Sequence, residues 1–309
     1  MNASAPVPRA LHVSLVALPD AVVSTLAGIY DVMNGAKLMG LVSAAPFEIQ
    51  IVGETAGAMP LASGVPIQVQ QAVDDIDASD IVIVPSLLLR ANAWTPGRYA
   101  KLVAWLQRMH ERGALLCSAC SGLFVLAETG LFDGKDATVH FGYARAFAAA
   151  FPAVPVHPQR VLVISGLREE LISSGASTTW HDLVLYLIAR HAGATVAQEV
   201  ARSFALQWHQ DGLSPYIVFE GRSDHGDRKI LTKSLLLIAG MILLYLSHKL
   251  ISNAVQRADY LHVVLVLLAF PLFALGVIAL LYVVESHLFT APPASADPKI
   301  SALVGDIVP

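Results

Sequence analysis

The strongest regularity in the chain is the alternation of short apolar runs with longer stretches whose apolar residues recur at helical spacing. Residues 11–18 form one such run, stopped by Pro19-Asp20; residues 23–39 then place Leu26, Ile29, Tyr30 and Met33 on one helical face. Residues 47–52 alternate with period two as a second strand. Residues 65–69 read as a short hairpin or edge strand, and Asp80-Ile-Val-Ile-Val-Pro85 as a fully buried one. An amphipathic helix is predicted over 99–111, closed by Gly113, and another over 142–151, stopped by Pro152. Further on, 161–164 and 170–173 predict two strands around Gly166, and 177–191 and 195–208 two apolar-faced helices separated by Gly193. Strands alternating with helices, most of them unbroken apolar runs, predict an α/β fold whose parallel sheet is covered on both faces. The ligand site of such a sheet lies beyond the carboxyl ends of its strands.

After Asp227 the pattern changes character. Residues 235–246 are uncharged, extended by Ile230 and Leu231 before them and by Leu250 and Ile251 after. Residues 263–284 also carry no charge, and at about 1.5 Å per residue they exceed the ~30 Å hydrocarbon core of a bilayer. The expectation is a two-span α-helical membrane hairpin, at about 230–251 and 261–284 within residues 229–286, joined by the polar turn 252–260. Residues 1–10 read as a flexible tail and 287–309 as a disordered one.

Composition agrees with that division: 55% of the 309 residues are hydrophobic, and the mean hydropathy is +0.59. Arg222, Arg228, Lys229 and Lys233 precede the first span, whereas Lys249 and Arg257 lie between the two. Positive charge collects on the inner side, so the main domain is expected to face the cytoplasm from a bacterial-type inner membrane. A net charge of −4 offers no basic footprint for nucleic acid. Residues 11–18 are too short and too poorly flanked for a signal peptide, and with two cysteines there is no disulfide framework.

The chemistry concentrates in Gly113-Ala-Leu-Leu-Cys-Ser-Ala-Cys-Ser-Gly-Leu-Phe-Val-Leu-Ala-Glu128. A buried strand pattern runs into small residues and then into helical spacing, which reads as a sharp strand-to-helix elbow. A cysteine at such a turn, Cys120, would meet the N-terminus of the next helix, where free N–H groups and the dipole favour thiolate. A buried cysteine acting as a small apolar residue fits the same pattern. Cys117 and Cys120 also spell C-x-x-C, but positions i and i+3 on a strand face opposite sides, which speaks against a disulfide.

Cys120-Ser-Gly-Leu-Phe-Val-Leu-Ala-Glu-Thr-Gly-Leu-Phe-Asp-Gly-Lys-Asp-Ala-Thr-Val-His140 resembles the nucleophile segment of the DJ-1/PfpI superfamily, the class I glutamine-amidotransferase-like fold. The nearer likeness is to the N-terminal domain of GlxA-like AraC-type transcriptional regulators. It takes in Asp80–Pro85, Ser174-Gly-Ala-Ser-Thr-Thr-Trp-His-Asp-Leu183, Gln207-Trp-His-Gln-Asp-Gly212 and Asp224-His-Gly-Asp227, over about residues 10–228. The resemblance implies a flavodoxin-like sandwich over 11–228 with a nucleophile elbow at Cys120. It implies His140 pointing toward that cysteine and sharing a proton with it, a pocket formed with Ser86, Ser121 and Gly122, and frequent homodimers. No cofactor is implied.

Three departures accompany it. Thr25 stands where the enzymes of the superfamily carry a glutamate, Pro85-Ser86-Leu87 replaces their Pro-Gly-Gly, and membrane spans take the place of the helix-turn-helix half. Asp182 reads as a capping or packing residue, and His181, His209 and His225 show no metal-ligand spacing, so no metal is expected. The expected function is a membrane-tethered sensory domain that binds a small molecule and does not itself contact nucleic acid. The alternative is a Cys120-dependent hydrolase, hydratase or amidase of small nitrogenous or carbonyl compounds. A third reading takes the C-terminal segment as the product of a gene truncation or frame change.

Overall fold

The computed structural model describes residues 9–42, 45–89, 94–210 and 212–217, together with Tyr245 and Lys249. The expected spans, save those two positions, and the tail 287–309 lie outside the described residues. Among the described residues no helix is long and apolar enough to cross a membrane.

The alternation along the sequence becomes a seven-stranded sheet. Its strands are β1 (Leu11–Val16), β2 (Phe47–Gly53), β5 (Gln71–Ala72), β6 (Ile81–Val84), β7 (Leu115–Ala119), β8 (Leu162–Ser165) and β9 (Leu171–Ser174). They stand in the order β5-β2-β1-β6-β7-β9-β8. The pairs from β5 through to β9 are parallel, while β8 returns antiparallel to β9 at the edge. The two expected strands around Gly166 therefore form a hairpin, since so short a connection permits only antiparallel pairing. A separate antiparallel ribbon pairs β3 (Gly57–Pro60) with β4 (Pro66–Val69). The sequence pattern marks β4 but not β3, whose four residues include a glycine and a proline.

Ile81, Val82, Ile83 and Val84 are all fully buried, as a central strand covered on both faces requires. The helices are α1 (Val23–Leu38), α2 (Ala100–Glu111), α3 (Leu123–Ala127), α4 (Ala144–Ala150), α5 (Trp180–Ala192), α6 (Ala194–Ser203) and α7 (Ser214–Ile217). α1, α5 and α6 pack against one another, and α2 packs with α3. Trp105 on α2 and Phe124 on α3 are among the largest fully buried side chains of the described residues.

Two expected boundaries move. The helix expected over 177–191 begins only at Trp180, leaving Ala176–Thr179 as a turn. The helix expected over 195–208 ends at Ser203. Ala205 takes φ 54° and Leu206 N–H turns back to Ala201 O at 2.8 Å, so residues 206–210 leave the helix. Between α5 and α6, Gly193 holds φ 99°, a conformation that a side chain would strain.

Candidate functional site

β6 and β7 run side by side and finish together, and their following turns interlock. β7 ends at Ala119, and Cys120–Gly122 make one 3₁₀ turn before α3. Cys120 takes φ 55°, a left-handed conformation that costs a non-glycine residue on the order of 1–3 kcal/mol. Its neighbours hold it there. The Ser121 hydroxyl donates to Leu87 O at 2.6 Å and accepts Leu87 N–H at 2.7 Å, clamping the elbow to the turn after β6. Gly122 passes so close to that turn that a Cβ would lie 2.5 Å from Val84 O and 2.6 Å from Pro85 O. The expected elbow is therefore present, and its small residues are required by contact as well as by curvature.

The loop after β1 closes the same edge. Val22 N–H donates to Ser86 O and Leu88 N–H to Asp20 O, each at 2.8 Å. The Asp20 carboxylate is taken up by the Tyr99 hydroxyl at 2.6 Å and Arg98 at 2.7 Å. Thr25, in the first turn of α1, is buried.

The polar groups acting on the Cys120 sulfur are the hydroxyls of Ser121, Ser86 and Ser177, each favouring thiolate. They are outweighed: burial pushes the thiol above its ordinary value. The thiolate expected from the helix dipole is not what this geometry favours, because α3 is five residues long and Cys120 is 2% exposed. A dipole that short offsets little of the desolvation. Cys117, wholly buried in β7, is pushed up to about 12 for the same reason, and both cysteines are free thiols.

His140 ends a short extended stretch that touches Val156 through Ala137. Its Nδ1 accepts Gly142 N–H at 3.0 Å, which leaves the proton of the neutral ring on Nε2. Burial lowers its pKa, so the ring is neutral at pH 7. It lies against Phe141 at 4.3 Å and Tyr143 at 5.6 Å between ring centroids. Tyr143 in turn is near enough to Cys120 for a thiolate there to raise its pKa, burial being the larger cause.

The structure thus brings together Cys120, Ser86, Ser121 and Gly122, and connects His140 to them through Tyr143. The sequence reading missed Tyr143 and Ser177. Ser177 was absorbed into a predicted helix, and its segment's place in the family resemblance was the one available signal. Behind the elbow, Phe124 packs against Phe147 at 5.0 Å and Trp94 at 5.4 Å. Glu128 fixes that wall by accepting from Trp94 Nε1 at 2.7 Å and Gly97 N–H at 2.9 Å.

Ser86 Oγ, on a residue 2% exposed, has no hydrogen-bond partner of ordinary geometry among the described residues and faces the Cys120 sulfur. An elbow cysteine beside such a hydroxyl can bind a polar small molecule. With a protonated thiol and a neutral imidazole, it is not a preformed thiolate–imidazolium pair.

Residues 22–187 match the profile of the DJ-1/PfpI family, more than half of the chain. The chain belongs to the DJ-1/PfpI family. Among curated proteins it is similar to the HTH-type transcriptional regulator CdhR of Pseudomonas aeruginosa, with 30% identity over 186 residues, 56% of this chain and 53% of CdhR. The HTH-type transcriptional regulator GbdR of the same species is 32% identical over 102 residues, 33% of this chain and 27% of GbdR. The chain therefore spans about half the length of the first of these relatives and less of the second.

Solved structures share the DJ-1/PfpI fold at lower identity. An AraC family transcriptional regulator from Pseudomonas putida superposes with a TM-score of 0.54 at 18% identity, covering 63% of this chain and 99% of that one. Drosophila melanogaster DJ-1beta gives 0.54 at 20% identity, covering 65% and 100%.

Proposed function

We propose that residues 11–228 form a small-molecule-binding sensory domain, related to the effector domain of AraC-type regulators and serving a regulatory output. The observation that carries this reading is Ser86 Oγ, buried with no hydrogen bond of ordinary geometry among the described residues and facing an elbow thiol that burial keeps protonated. Such a site offers hydrogen bonds to a ligand without the charge pair that cysteine catalysis uses. The HTH-type regulators among its relatives support a regulatory role.

The domain is tethered to a bacterial-type inner membrane by spans at about 230–251 and 261–284, with the domain facing the cytoplasm. It binds no nucleic acid directly, in keeping with its net charge of −4. Any DNA-directed output then passes through a partner, and the domain itself works as a homodimer.

Thermal-shift screening of the full-length chain against small nitrogenous and carbonyl compounds tests the binding reading, since a ligand for the folded state raises the midpoint. A hit whose shift disappears in Ser86→Ala supports it; hits indifferent to both Ser86→Ala and Cys120→Ala sink it. Reporter fusions at Gln256 and Pro309 test the topology, the first active outside and the second inactive.

The retained strain at Cys120, φ 55°, favours a second reading, a cysteine-dependent hydrolase or lyase. Turnover of a small amide or 2-oxoaldehyde that is lost in Cys120→Ala would decide for it.

A further inference from the structure

The start of α5 and the segment that follows α6 meet in a cluster of side chains outside the elbow pocket. His181 and Asp182 lie in the first turn of α5, and His209 reaches them after the chain has left α6. One ligand atom from each of the three lies within 4.8 Å of the others. Asp182 Oδ2 is 2.7 Å from His209 Nδ1 and 3.5 Å from His181 Nε2. Gln207 O lies 2.8 Å from that same nitrogen of His181. The two rings stack, with centroids 5.0 Å apart and planes within 18°. Two imidazoles, a carboxylate and a carbonyl oxygen therefore converge on one small volume from two segments of the chain.

The Asp182 side chain is 2% exposed, and its ion pairs among the described residues are with these two histidines. A carboxylate so far from water needs a positive partner at short range, which is either a protonated imidazole or a metal ion. The donor set is that of borderline divalent metals: nitrogen from imidazole with hard oxygen, and no sulfur.

We propose that His181, Asp182 and His209 bind one divalent transition-metal ion of the zinc class, with Gln207 O as a fourth donor. Zinc held at about 2.0–2.1 Å from tetrahedral ligands sets neighbouring donor atoms roughly 3.3 Å apart. The separations of 2.7, 2.8 and 3.5 Å fall on either side of that spacing, and the ligand atoms of the two rings lie within 4.8 Å of each other, so binding draws the rings together by up to about 1.5 Å.

Without the ion, His209 Nδ1–H donates to Asp182 and His181 Nε2–H to Gln207 O. On binding, each ring presents that nitrogen's lone pair and carries its proton on the other nitrogen; a protonated His209 releases one proton to solvent. Asp182 Oδ1 meanwhile keeps its bond from His209 N–H at 3.0 Å, holding the carboxylate in register. The partial positive charge at the start of α5 opposes the ion and weakens its binding by a few-fold. An ion there fastens residues 207–209 to the helix whose preceding turn carries Ser177, one of the groups acting on Cys120.

The test is calorimetric titration of the EDTA-stripped full-length chain with Zn²⁺. One ion per chain is expected, bound about 100-fold more weakly in His181→Ala and in His209→Gln. Because either variant could lose its fold, zinc-edge X-ray absorption on the loaded wild-type chain reads the donors independently. Two imidazoles with oxygen and no sulfur support the site. No binding below millimolar Zn²⁺, binding unchanged in both variants, or sulfur in the coordination shell overturns it. Ligand binding at Cys120 is measured on the metal-free chain, so this site and the elbow pocket stand or fall separately.

Discussion

Where β6 and β9 begin, Asp80 accepts from both terminal nitrogens of Arg9 at 2.8 and 2.6 Å and from His12 N–H at 2.8 Å. Beside it, Glu170 accepts Arg168 N–H at 2.8 Å and faces His110. Where β6 and β7 finish, the groups around the sulfur are hydroxyls, and Asp20 at that edge is paired with Arg98 and accepts from the Tyr99 hydroxyl. The two ends of the same strands thus close differently. The starting end pairs its two carboxylates through charge-assisted bonds, which favour the ionised form and hold both below their ordinary pKa, while His12 Nδ1 beside them is buried with no partner among the described residues. The finishing end places a strained cysteine against the Ser86 hydroxyl and is held by the bonds between Ser121 and the Leu87 backbone.

Gly122→Ala should break the finishing end most severely, because the new Cβ meets backbone oxygens that cannot move aside. A loss of about 3 kcal/mol is expected from denaturant unfolding; a change below about 1 kcal/mol would mean that the elbow does not press on the turn after β6. Ser121→Ala comes next, at about 2 kcal/mol, since it strands both the N–H and the carbonyl of Leu87 in a buried site.

Thiol labelling sharpens the comparison without touching the fold. With its pKa raised, Cys120 should alkylate more slowly than an ordinary thiol at pH 7, and its rate should go on rising at alkaline pH where an ordinary thiol's levels off. Cys117 should be slower still. Peptide mapping after timed iodoacetamide treatment reads both, and fast labelling at pH 6 would restore the thiolate that the helix dipole suggested.

The starting end should answer to acid instead. Asp80 and Glu170 have depressed folded pKa values, so their contribution is complete above the unfolded carboxylate range and is lost as pH falls through the folded values, from about pH 4 downward. Urea midpoints between pH 5 and pH 3 should fall in the wild type and flatten in Asp80→Asn/Glu170→Gln. The smallest effect belongs to Ser86→Ala. With no hydrogen bond of ordinary geometry to lose among the described residues, it should leave stability within about 0.5 kcal/mol of wild type while abolishing the midpoint shift given by a pocket ligand.

Much of this architecture could be read from residue order alone. Periodicity placed β1, α1, β2, β6, α2 and β7, because a buried strand and a half-buried helix must each repeat with their own geometry. Cys120-Ser-Gly announced the elbow, since only small residues fit so tight a turn. What residue order could not supply were relations between distant segments. The thiol's protonation is decided by its burial, set against the hydroxyls of Ser121, Ser86 and Ser177, two of which arrive from other turns. The end of α6 is settled as much by Asp182, which takes the His209 N–H, as by local propensity. For the same reason spacing saw no link between His181 and His209: their approach exists only once α5 and the segment after α6 are packed together. Local sequence determines which shapes a segment can take, and the burial and convergence of side chains far apart in the chain determine the chemistry those shapes carry.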